Sequence, residues 1–336
     1  MKLNLQQITS ITRGVMRVTE EKDGFHFFRF SDSEQCAYNG TKFETKTTST
    51  AGVEMEFDTD ATAIELKVNT TAATTRYYFA CDVFVNDSYV GSVKNFDDGS
   101  LLCGYAGKSR PQGDFEGTLD LGEGTKRVRV VLPWSVVCVV REMTLVGATL
   151  LVPVKSDKKV LLYGDSITHG YDALHPSGSY AARLTRALEA EGFNKAIGGD
   201  VFRPALGEAD SGVVADIVTV AYGTNDWNTM DAGTFRANCE GFLRALCERQ
   251  PQAKIFVITP TWRKDEAEPI RVFGPFADVE RIMREICELL PVTVVRGYDL
   301  VPHDVDNFGD TKLHPNLRGF EFYFNNLLAE MKRVLL

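Results

Sequence analysis

Short apolar runs alternate with helical windows in the second half of the chain, and this pattern constrains the fold most strongly. The apolar runs lie at 160–163, 217–222, 255–259 and 292–295, with a weaker candidate at 193–197. The helical windows lie at 179–191, 231–249, 276–290 and 316–334. Unbroken apolar strands that alternate with helices are typical of a parallel sheet covered by helices on both faces. The sequence therefore predicts a three-layer α/β domain at 153–336.

The first half of the chain has a different periodicity. Apolar and polar residues alternate with period two between about 18 and 151, as at 53–57 and 64–68. Gly, Asn and Asp separate the alternating stretches. Short half-buried strands with such turns favour an antiparallel sandwich or jelly roll. We therefore predict an all-β domain at 1–152, and we expect no helix between 18 and 151.

Composition limits the partners that this chain can have. It has 37 basic and 46 acidic residues, for a net charge of −9. This acidic balance argues against nucleic acid as the main partner. No stretch approaches the ~20 apolar residues of a membrane span, and residues 1–7 lack the apolar core of a secretory signal. We expect no membrane association and a cytoplasmic location, and the sequence specifies no oligomeric state.

The cysteines support the same expectation about location. There are seven, an odd number, and none stands in a CxxC pair. The sequence therefore predicts neither a disulfide framework nor a cysteine metal site. Reduced and mostly buried thiols are typical of a cytoplasmic protein.

A candidate nucleophile follows the first apolar run of the second half. The run 160–163 stops at Gly164-Asp165-Ser166. A buried strand that ends in this way places the serine hydroxyl at the carboxyl edge of the sheet, where open α/β folds bind their ligands. A serine hydroxyl needs an adjacent base at neutral pH, and histidine has the pKa that suits this role. The alternative role for Ser166 is a helix cap.

Four short motifs stand in a fixed order along this half. They are Gly164-Asp165-Ser166-Ile167, Asn194-Lys195-Ala196-Ile197-Gly198-Gly199, Gly223-Thr224-Asn225-Asp226 and Leu313-His314-Pro315-Asn316. The first three follow strand candidates and the fourth opens the last helical window. Together they resemble the SGNH (GDSL) hydrolase superfamily over about 160–336. The resemblance implies a flavodoxin-like parallel sheet.

The resemblance also implies a role for each motif. Ser166 would be the nucleophile and His314 the general base. The oxyanion hole would consist of the N–H groups of Ser166 and Gly199 and the side-chain amide of Asn225. Preorganised donors of this kind stabilise the negative charge of an acyl-transfer transition state. The resemblance implies that no metal or organic cofactor is required.

One departure from the family pattern concerns the residue that orients the histidine. The family usually has an aspartate three residues before it, but Thr311 stands there and Asp310 lies one residue further back. Asp310 can serve if the loop accommodates one extra residue, and we take it as the third catalytic residue. Asp306 and a backbone carbonyl are the alternatives.

Other assignments also leave alternatives open. Gly198 precedes Gly199, so the alignment with the family motif could shift by one residue and make Gly198 the oxyanion donor. Asn225 could instead structure its own turn. Trp227 and Trp262 both follow the ends of strand candidates, and either could be a platform for a sugar ring or a core residue.

An all-β domain followed by an SGNH domain resembles the architecture of carbohydrate esterase family 2. This resemblance implies a serine esterase that removes O-acetyl groups from small carbohydrates through an acyl-enzyme, so the expected partner is a small acetylated saccharide. A lysophospholipase or thioesterase is a competing activity of the same chemistry. A non-catalytic carbohydrate-binding protein with a decayed hydrolase domain is the alternative from another class, and the departure at Thr311 is its support.

Overall fold

The first half of the chain is built from two antiparallel sheets. The structure, a computed structural model, describes residues 1–97, 110–267 and 271–335. Strands β1 to β11 are, in chain order, Thr12–Arg13, Arg17–Glu21, Gly24–Phe28, Glu54–Thr59, Ala63–Ala72, Ala80–Val85, Ser88–Lys94, Gly113–Asp120, Lys126–Val131, Val136–Val146 and Leu151–Pro153. One sheet has the order β2-β3-β10-β5-β8, and the other has β1-β4-β9-β6-β7 with β11 beside β4.

The two sheets enclose a shared apolar core. Phe57 and Val130 from one sheet belong to the same buried cluster as Leu66 and Val140 from the other. The alternation seen in the sequence is the cause, because every second side chain of a strand points to the same face. The predicted antiparallel β-sandwich is therefore confirmed. The jelly-roll topology stays a prediction. Consecutive strands from β3 to β10 lie in opposite sheets except for β6 and β7, which pair with each other in one sheet.

The expectation that residues 18–151 lack helices is wrong. Helix α1, at Leu5–Ile11, precedes that range, but helix α2 at Asp32–Cys36 and a 3-10 helix at Glu44–Thr48 lie within it. A capping box begins each α-helix: Asn4 with Gln7 in α1, and Ser31 with Glu34 in α2. The pattern Ser-x-x-Glu is a sequence signal for a helix start, so α2 was detectable from its first residues.

Residues 29–50, which we call the crossing segment, pack against the second half of the chain. Phe30, Tyr38 and Phe43 belong to the buried cluster of the second half. Glu34 of the crossing segment forms an ion pair of 2.6 Å with Lys195, and both side chains are fully buried. The predicted domain boundary at 152 stays a prediction, but these contacts show that the first half contributes to the second core.

The second half contains a five-stranded parallel sheet. Its strands are, in chain order, β12 Lys159–Gly164, β13 Glu191–Asn194, β14 Ile217–Ala221, β15 Lys254–Ile258 and β16 Thr293–Val295. All neighbours in the sheet are parallel, and the order in space is β13-β12-β14-β15-β16. This is the flavodoxin-like order, in which the direction of winding reverses between the first and third strands.

Helices cover both faces of this sheet. They are α3 Ser166–His169, α4 Tyr180–Ala187, α5 Pro204–Glu208, α6 Thr224–Thr229, α7 Ala232–Arg249, α8 Ala277–Cys287 and α9 Leu317–Leu335. Val160 and Leu162 of β12 share a buried cluster with α4 and α9. Leu161 and Tyr163 of the same strand share one with α7 and α8. A strand that is apolar on both faces therefore produces the predicted three layers, and the α/β fold class is confirmed.

Two further expectations concern membranes and cysteines. In the described ranges, no helix combines the length and the hydropathy that crossing a bilayer requires. The six cysteines within those ranges are free thiols. The seventh, Cys103, lies outside the described residues.

The buried pair between the crossing segment and the second half gives a stability prediction. Glu34→Ala leaves the Lys195 ammonium buried without its partner, which typically costs about 3–5 kcal/mol. We expect a loss of that size in the free energy of unfolding, measured by chemical denaturation. Glu330→Ala, which removes an exposed ion pair with Arg333, is the control and should change stability little. Equal losses in the two variants would contradict the proposed importance of the crossing segment.

Candidate active site

The turn after β12 presents Ser166 at the edge of the parallel sheet. Asp165 caps α3, because its Oδ1 accepts a hydrogen bond of 3.0 Å from the N–H of Ile167. Gly164 is required here, since a Cβ at this position would lie 2.2 Å from Oγ1 of Thr168. Ser166 is the first residue of α3, where backbone N–H groups have no partner within the helix. The residue at the helix start therefore combines a hydroxyl with an available N–H group.

The structure brings Ser166, His314 and Asp310 together. Nε2 of His314 lies 2.8 Å from Oγ of Ser166, and Nδ1 lies 2.6 Å from Oδ2 of Asp310. Ser166 follows β12, which neighbours β14 at the point where the strand order reverses. Ligands bind at this point in open α/β sheets. The three side chains have the order and the contacts of a nucleophile, a base and an orienting carboxylate.

The extra residue in the histidine loop is accommodated by a left-handed backbone conformation. Thr311 has φ +57°, which folds the loop so that Asp310 still reaches His314. Oδ1 of Asp310 accepts three backbone N–H groups, from Lys312, Leu313 and His314, at 2.9, 2.8 and 3.1 Å. Burial alone would raise the pKa of Asp310, but the hydrogen bond and the charge of His314 and these N–H groups hold it below its ordinary value. Asp310 is therefore held as a carboxylate.

Residues that the sequence reasoning missed surround His314. The ring of Tyr171 stacks on the imidazole, with ring centroids 5.6 Å apart. The next residue, Asp172, is buried and accepts a hydrogen bond of 2.7 Å from Nε of Arg76. Arg76 belongs to the first half of the chain. Its position could not be read from the sequence, because no local pattern links residue 76 to a turn almost a hundred residues later.

Three groups are available to bind an oxyanion. The N–H groups of Ser166 and Gly199 donate no hydrogen bond to any residue that the structure describes. Asn225 is half-buried and donates one hydrogen of Nδ2 to the carbonyl of Asp200 at 3.0 Å, which leaves its second hydrogen available. The loop that carries Gly199 is held against the end of β12, because Ile197 N–H bonds the Gly164 carbonyl at 3.1 Å.

Hydrogen bonding distinguishes Gly198 from Gly199 as the candidate oxyanion donor. The N–H of Gly198 donates to Nδ1 of His169 at 3.0 Å, so it is not available to a substrate. Gly199 has φ +87° and an N–H without a partner among the described residues. This difference favours Gly199 over Gly198 as the oxyanion donor. His169 itself is buried and lies behind this loop.

The structure corrects the substrate-binding prediction for Trp227. This residue is only 1% exposed, and its Nε1–H donates to the carbonyl of Gly274 at 2.9 Å. The guanidinium of Arg271 lies 4.0 Å from the centre of its ring. Helix α6 turns this side chain inward, so Trp227 is a core residue. Trp262 is half-buried and stacks on His303 with ring centroids 5.5 Å apart, and its role in binding stays a prediction.

Three buried carboxyl groups lie behind the nucleophile turn. Burial raises the pKa of Asp165 to about 6 and that of Asp226 to about 7, and it also raises the pKa of Asp200. Asp226 accepts N–H groups from Gly223 and Phe202, both at 3.0 Å. These carboxyl groups hold backbone turns in place, which agrees with structural rather than catalytic roles for Asp165 and Asp226.

Two groups of side chains in the described ranges bring candidate metal ligands close together. One is the exposed set Glu21, Asp23 and His26. The other consists of Asp172, Asp310 and His314, and here Asp310 and His314 are already hydrogen-bonded to each other. The second set therefore coincides with the candidate catalytic residues.

Fold and site together define a serine-type ester hydrolase. Residues 162–322 match the model of the GDSL-like lipase/acylhydrolase family. The match lies in the second half of the chain and includes all four motifs. No curated protein sequence matches the chain.

Solved structures with the same fold span both halves of the chain. A salicylyl-acyltransferase from a tetracycline biosynthetic pathway is 21% identical with a TM-score of 0.80, covering 97% of this chain and 94% of that one. A protein described as a GDSL-like lipase from Bacteroides ovatus is 16% identical with a TM-score of 0.76, covering 100% and 98%. A family two carbohydrate esterase from Clostridium thermocellum, in complex with cellohexaose, is 18% identical with a TM-score of 0.64, covering 85% and 94%. The two-domain architecture is therefore shared.

The buried Asp165 gives a prediction about pH. Because the pKa of Asp165 is raised to about 6 in the folded state, its contribution to stability is full below pH ~4 and is lost as the pH rises through about 6. Asp165→Asn keeps the acceptor for Ile167 and does not ionise. We expect the free energy of unfolding of this variant, relative to the wild type, to rise by about 2–3 kcal/mol between pH 4 and pH 8.

Asp231→Asn is the matched control for this measurement. Asp231 caps α7 at the surface, where hydrogen bonds from Thr234 lower its pKa. Its titration therefore lies below pH 4. The difference in free energy of unfolding between Asp231→Asn and the wild type should stay constant between pH 4 and pH 8. Denaturation curves at several pH values measure both variants. If the free energy of unfolding of Asp165→Asn differs from that of the wild type by the same amount at every pH, the assignment of a raised pKa to this carboxyl is contradicted.

Proposed function

We propose that this protein is an esterase that removes O-acetyl groups from small carbohydrates through an acyl-enzyme. The observation that carries the proposal is the chain of hydrogen bonds from Ser166 Oγ through His314 to Asp310, at 2.8 and 2.6 Å. These hydrogen bonds lie beside the N–H groups of Ser166 and Gly199, which have no partner among the described residues. A nucleophile with its base and unoccupied donors is what acyl transfer requires.

The first chemical step forms the acyl-enzyme. Oγ of Ser166 attacks the acetyl carbonyl carbon while Nε2 of His314 takes the hydroxyl proton. The negative charge that develops on the carbonyl oxygen is stabilised by N–H of Ser166, N–H of Gly199 and Nδ2 of Asn225. His314 then gives its proton to the leaving alcohol oxygen as the carbon–oxygen bond breaks. The products are acetyl-Ser166 and the free alcohol.

The second step returns the enzyme to its starting state. Water attacks the acetyl-Ser166 carbonyl while His314 Nε2 takes a proton from it. The same donors stabilise the second oxyanion. Its collapse releases acetic acid, which ionises to acetate in solution, as Ser166 takes the proton from His314. Throughout, the carboxylate of Asp310 holds the Nδ1–H tautomer and stabilises the imidazolium.

The choice of an acetylated carbohydrate is supported by architecture. The family two esterase from Clostridium thermocellum, which was solved with a bound cello-oligosaccharide, shares both halves of the fold. In this chain the first half also reaches the site, through Arg76 beside Tyr171 and Asp172. A site formed between the two halves suits an extended substrate such as a saccharide. A cytoplasmic location remains part of this proposal and rests on the cysteine pattern.

A second candidate reaction is acyl transfer to an alcohol other than water. It is favoured by the salicylyl-acyltransferase, whose TM-score of 0.80 exceeds that of the carbohydrate esterase. Both reactions share the acyl-enzyme and differ in what accepts the acyl group. An accepting alcohol added to the assay distinguishes them, because transfer yields a new ester in place of free acid.

Two other candidates are less well supported. A non-catalytic sugar-binding protein was suggested by Thr311, but the loop accommodates this residue and Asp310 bonds His314. Lysophospholipase and thioesterase activities use the same catalytic groups, and no contact in the described structure favours a lipid or a thioester.

The proposal predicts that Ser166→Ala abolishes hydrolysis of 4-nitrophenyl acetate, with a loss of about 10⁴-fold or more in kcat. Release of 4-nitrophenolate measures the rate, and a melting curve checks that the variant is folded. A panel of acetylated xylose, acetylated cello-oligosaccharides, a lysophospholipid and an acyl thioester then ranks the substrates. Preference for the lipid or the thioester would reject the carbohydrate part of the proposal. Equal rates for the variant and the wild type would reject the mechanism.

A further inference from the structure

Gly198, the residue before the proposed oxyanion donor, is held at both of its backbone groups. Its N–H donates to Nδ1 of His169 at 3.0 Å. Its carbonyl accepts a hydrogen bond from Nζ of Lys46 at 2.5 Å. Lys46 lies in the crossing segment, so it comes from the first half of the chain. Two side chains from distant parts of the sequence therefore fix this one residue.

The bond from Lys46 also determines where the next N–H points. The carbonyl of Gly198 and the N–H of Gly199 belong to the same peptide group. This peptide is trans, and in a planar trans peptide the carbonyl and the N–H point in opposite directions. With Lys46 on the carbonyl side, the N–H of Gly199 points away from Lys46. It is the N–H that has no partner among the described residues.

Lys46 has an electronic effect as well as a geometric one. A hydrogen bond from a charged donor to a carbonyl is stronger than one from a neutral donor, and hydrogen bonds that share a peptide group polarise each other. An ammonium on the Gly198 carbonyl therefore makes the Gly199 N–H a better donor. Lys46 is only partly exposed, so solvent screens this interaction less than it would at the surface.

His169 fixes the other side of Gly198. Since Nδ1 accepts the N–H of Gly198, the proton of the neutral ring lies on Nε2. Nε2 is 2.9 Å from the carbonyl of Trp134 and 2.9 Å from Oγ of Ser49. Burial holds the pKa of His169 well below its ordinary value, so the ring is neutral and keeps its acceptor. Trp134 and Ser49 both belong to the first half of the chain.

We propose that Lys46 and His169 are positioning residues that hold the Gly198–Gly199 backbone so that the Gly199 N–H faces the reacting carbonyl oxygen. The first half of the chain thereby completes the oxyanion hole of the second half. This inference rests on the proposed esterase function. Neither residue contacts the substrate in this account, and each acts through the backbone that it holds.

The crossing segment supplies a matched control for Lys46. Lys42 lies four residues earlier, and its Nζ is 5.1 Å from the centre of the Phe43 ring, while Nζ of Lys46 is 5.5 Å from it. Of these two lysines, Lys46 bonds the Gly198 carbonyl, whereas Lys42 is exposed. Loss of either lysine removes one positive charge from the same surface. A difference between the two variants therefore reports the bond to Gly198.

The test compares Lys46→Met, Lys42→Met and Lys46→Arg in the hydrolysis of 4-nitrophenyl acetate. A full oxyanion donor is worth about 10²–10³ in kcat, so we expect Lys46→Met, which weakens one donor, to lose about 10- to 100-fold. KM should change less than about threefold, because the oxyanion forms after substrate binding. Lys42→Met should resemble the wild type, and Lys46→Arg should recover most of the loss because it can still donate to the carbonyl.

A second pair of variants tests His169 independently of Lys46. His169→Asn retains an acceptor near the position of Nδ1, whereas His169→Leu has none. We expect kcat to be at least about tenfold higher for His169→Asn than for His169→Leu, when both are measured below their melting temperatures. Equal values would remove His169 from the proposal.

The outcomes separate this inference from the proposed function. If the wild type is active and Ser166→Ala is inactive, a kcat for Lys46→Met within about threefold of wild type overturns the role of Lys46 while the esterase function stands. A loss in Lys46→Met that Lys42→Met shares also overturns it. An inactive wild type overturns the proposed function and the inference with it.

Discussion

The hydrogen bond between Oγ of Ser166 and Nε2 of His314 is the contact on which the account of this protein depends. It joins residues that are 148 positions apart in the chain. Only the fold brings them together: β12 delivers Ser166 to the carboxyl edge of the parallel sheet, and the loop before α9 delivers His314 to the same edge. The three layers of the second half therefore serve to hold one oxygen atom and one nitrogen atom 2.8 Å apart.

The first half of the chain also contributes to the placement of the candidate catalytic groups. Its crossing segment contributes Glu34 to a buried ion pair and Lys46 to the loop of the oxyanion donor. Two of its loops contribute Arg76 to Asp172 and the carbonyl of Trp134 to His169. Solved structures of other proteins span both halves in the same way. The first half therefore supports residues that lie next to the candidate catalytic groups.

The sequence predicted the features that short stretches determine. Apolar strands, helical windows and the Gly164-Asp165-Ser166 turn are local, so the parallel sheet and the position of Ser166 could be inferred from them. The residue that orients His314 was harder to predict, because Asp310 reaches His314 only through the left-handed conformation of Thr311. The roles of Trp227 and Lys46 depend on the direction in which helix α6 and the crossing segment face in the folded protein. Hydrophobic periodicity in the sequence does not indicate that direction. Their roles became visible only in the folded chain.

Labelling with a fluorophosphonate tests the central claim most directly, because this reagent forms a stable phosphonyl ester with an activated serine. We predict a single adduct on the peptide that contains Ser166, found by mass spectrometry after digestion, and a much slower reaction in the folded His314→Ala variant. An adduct on another serine, or equally fast labelling without His314, would contradict the account.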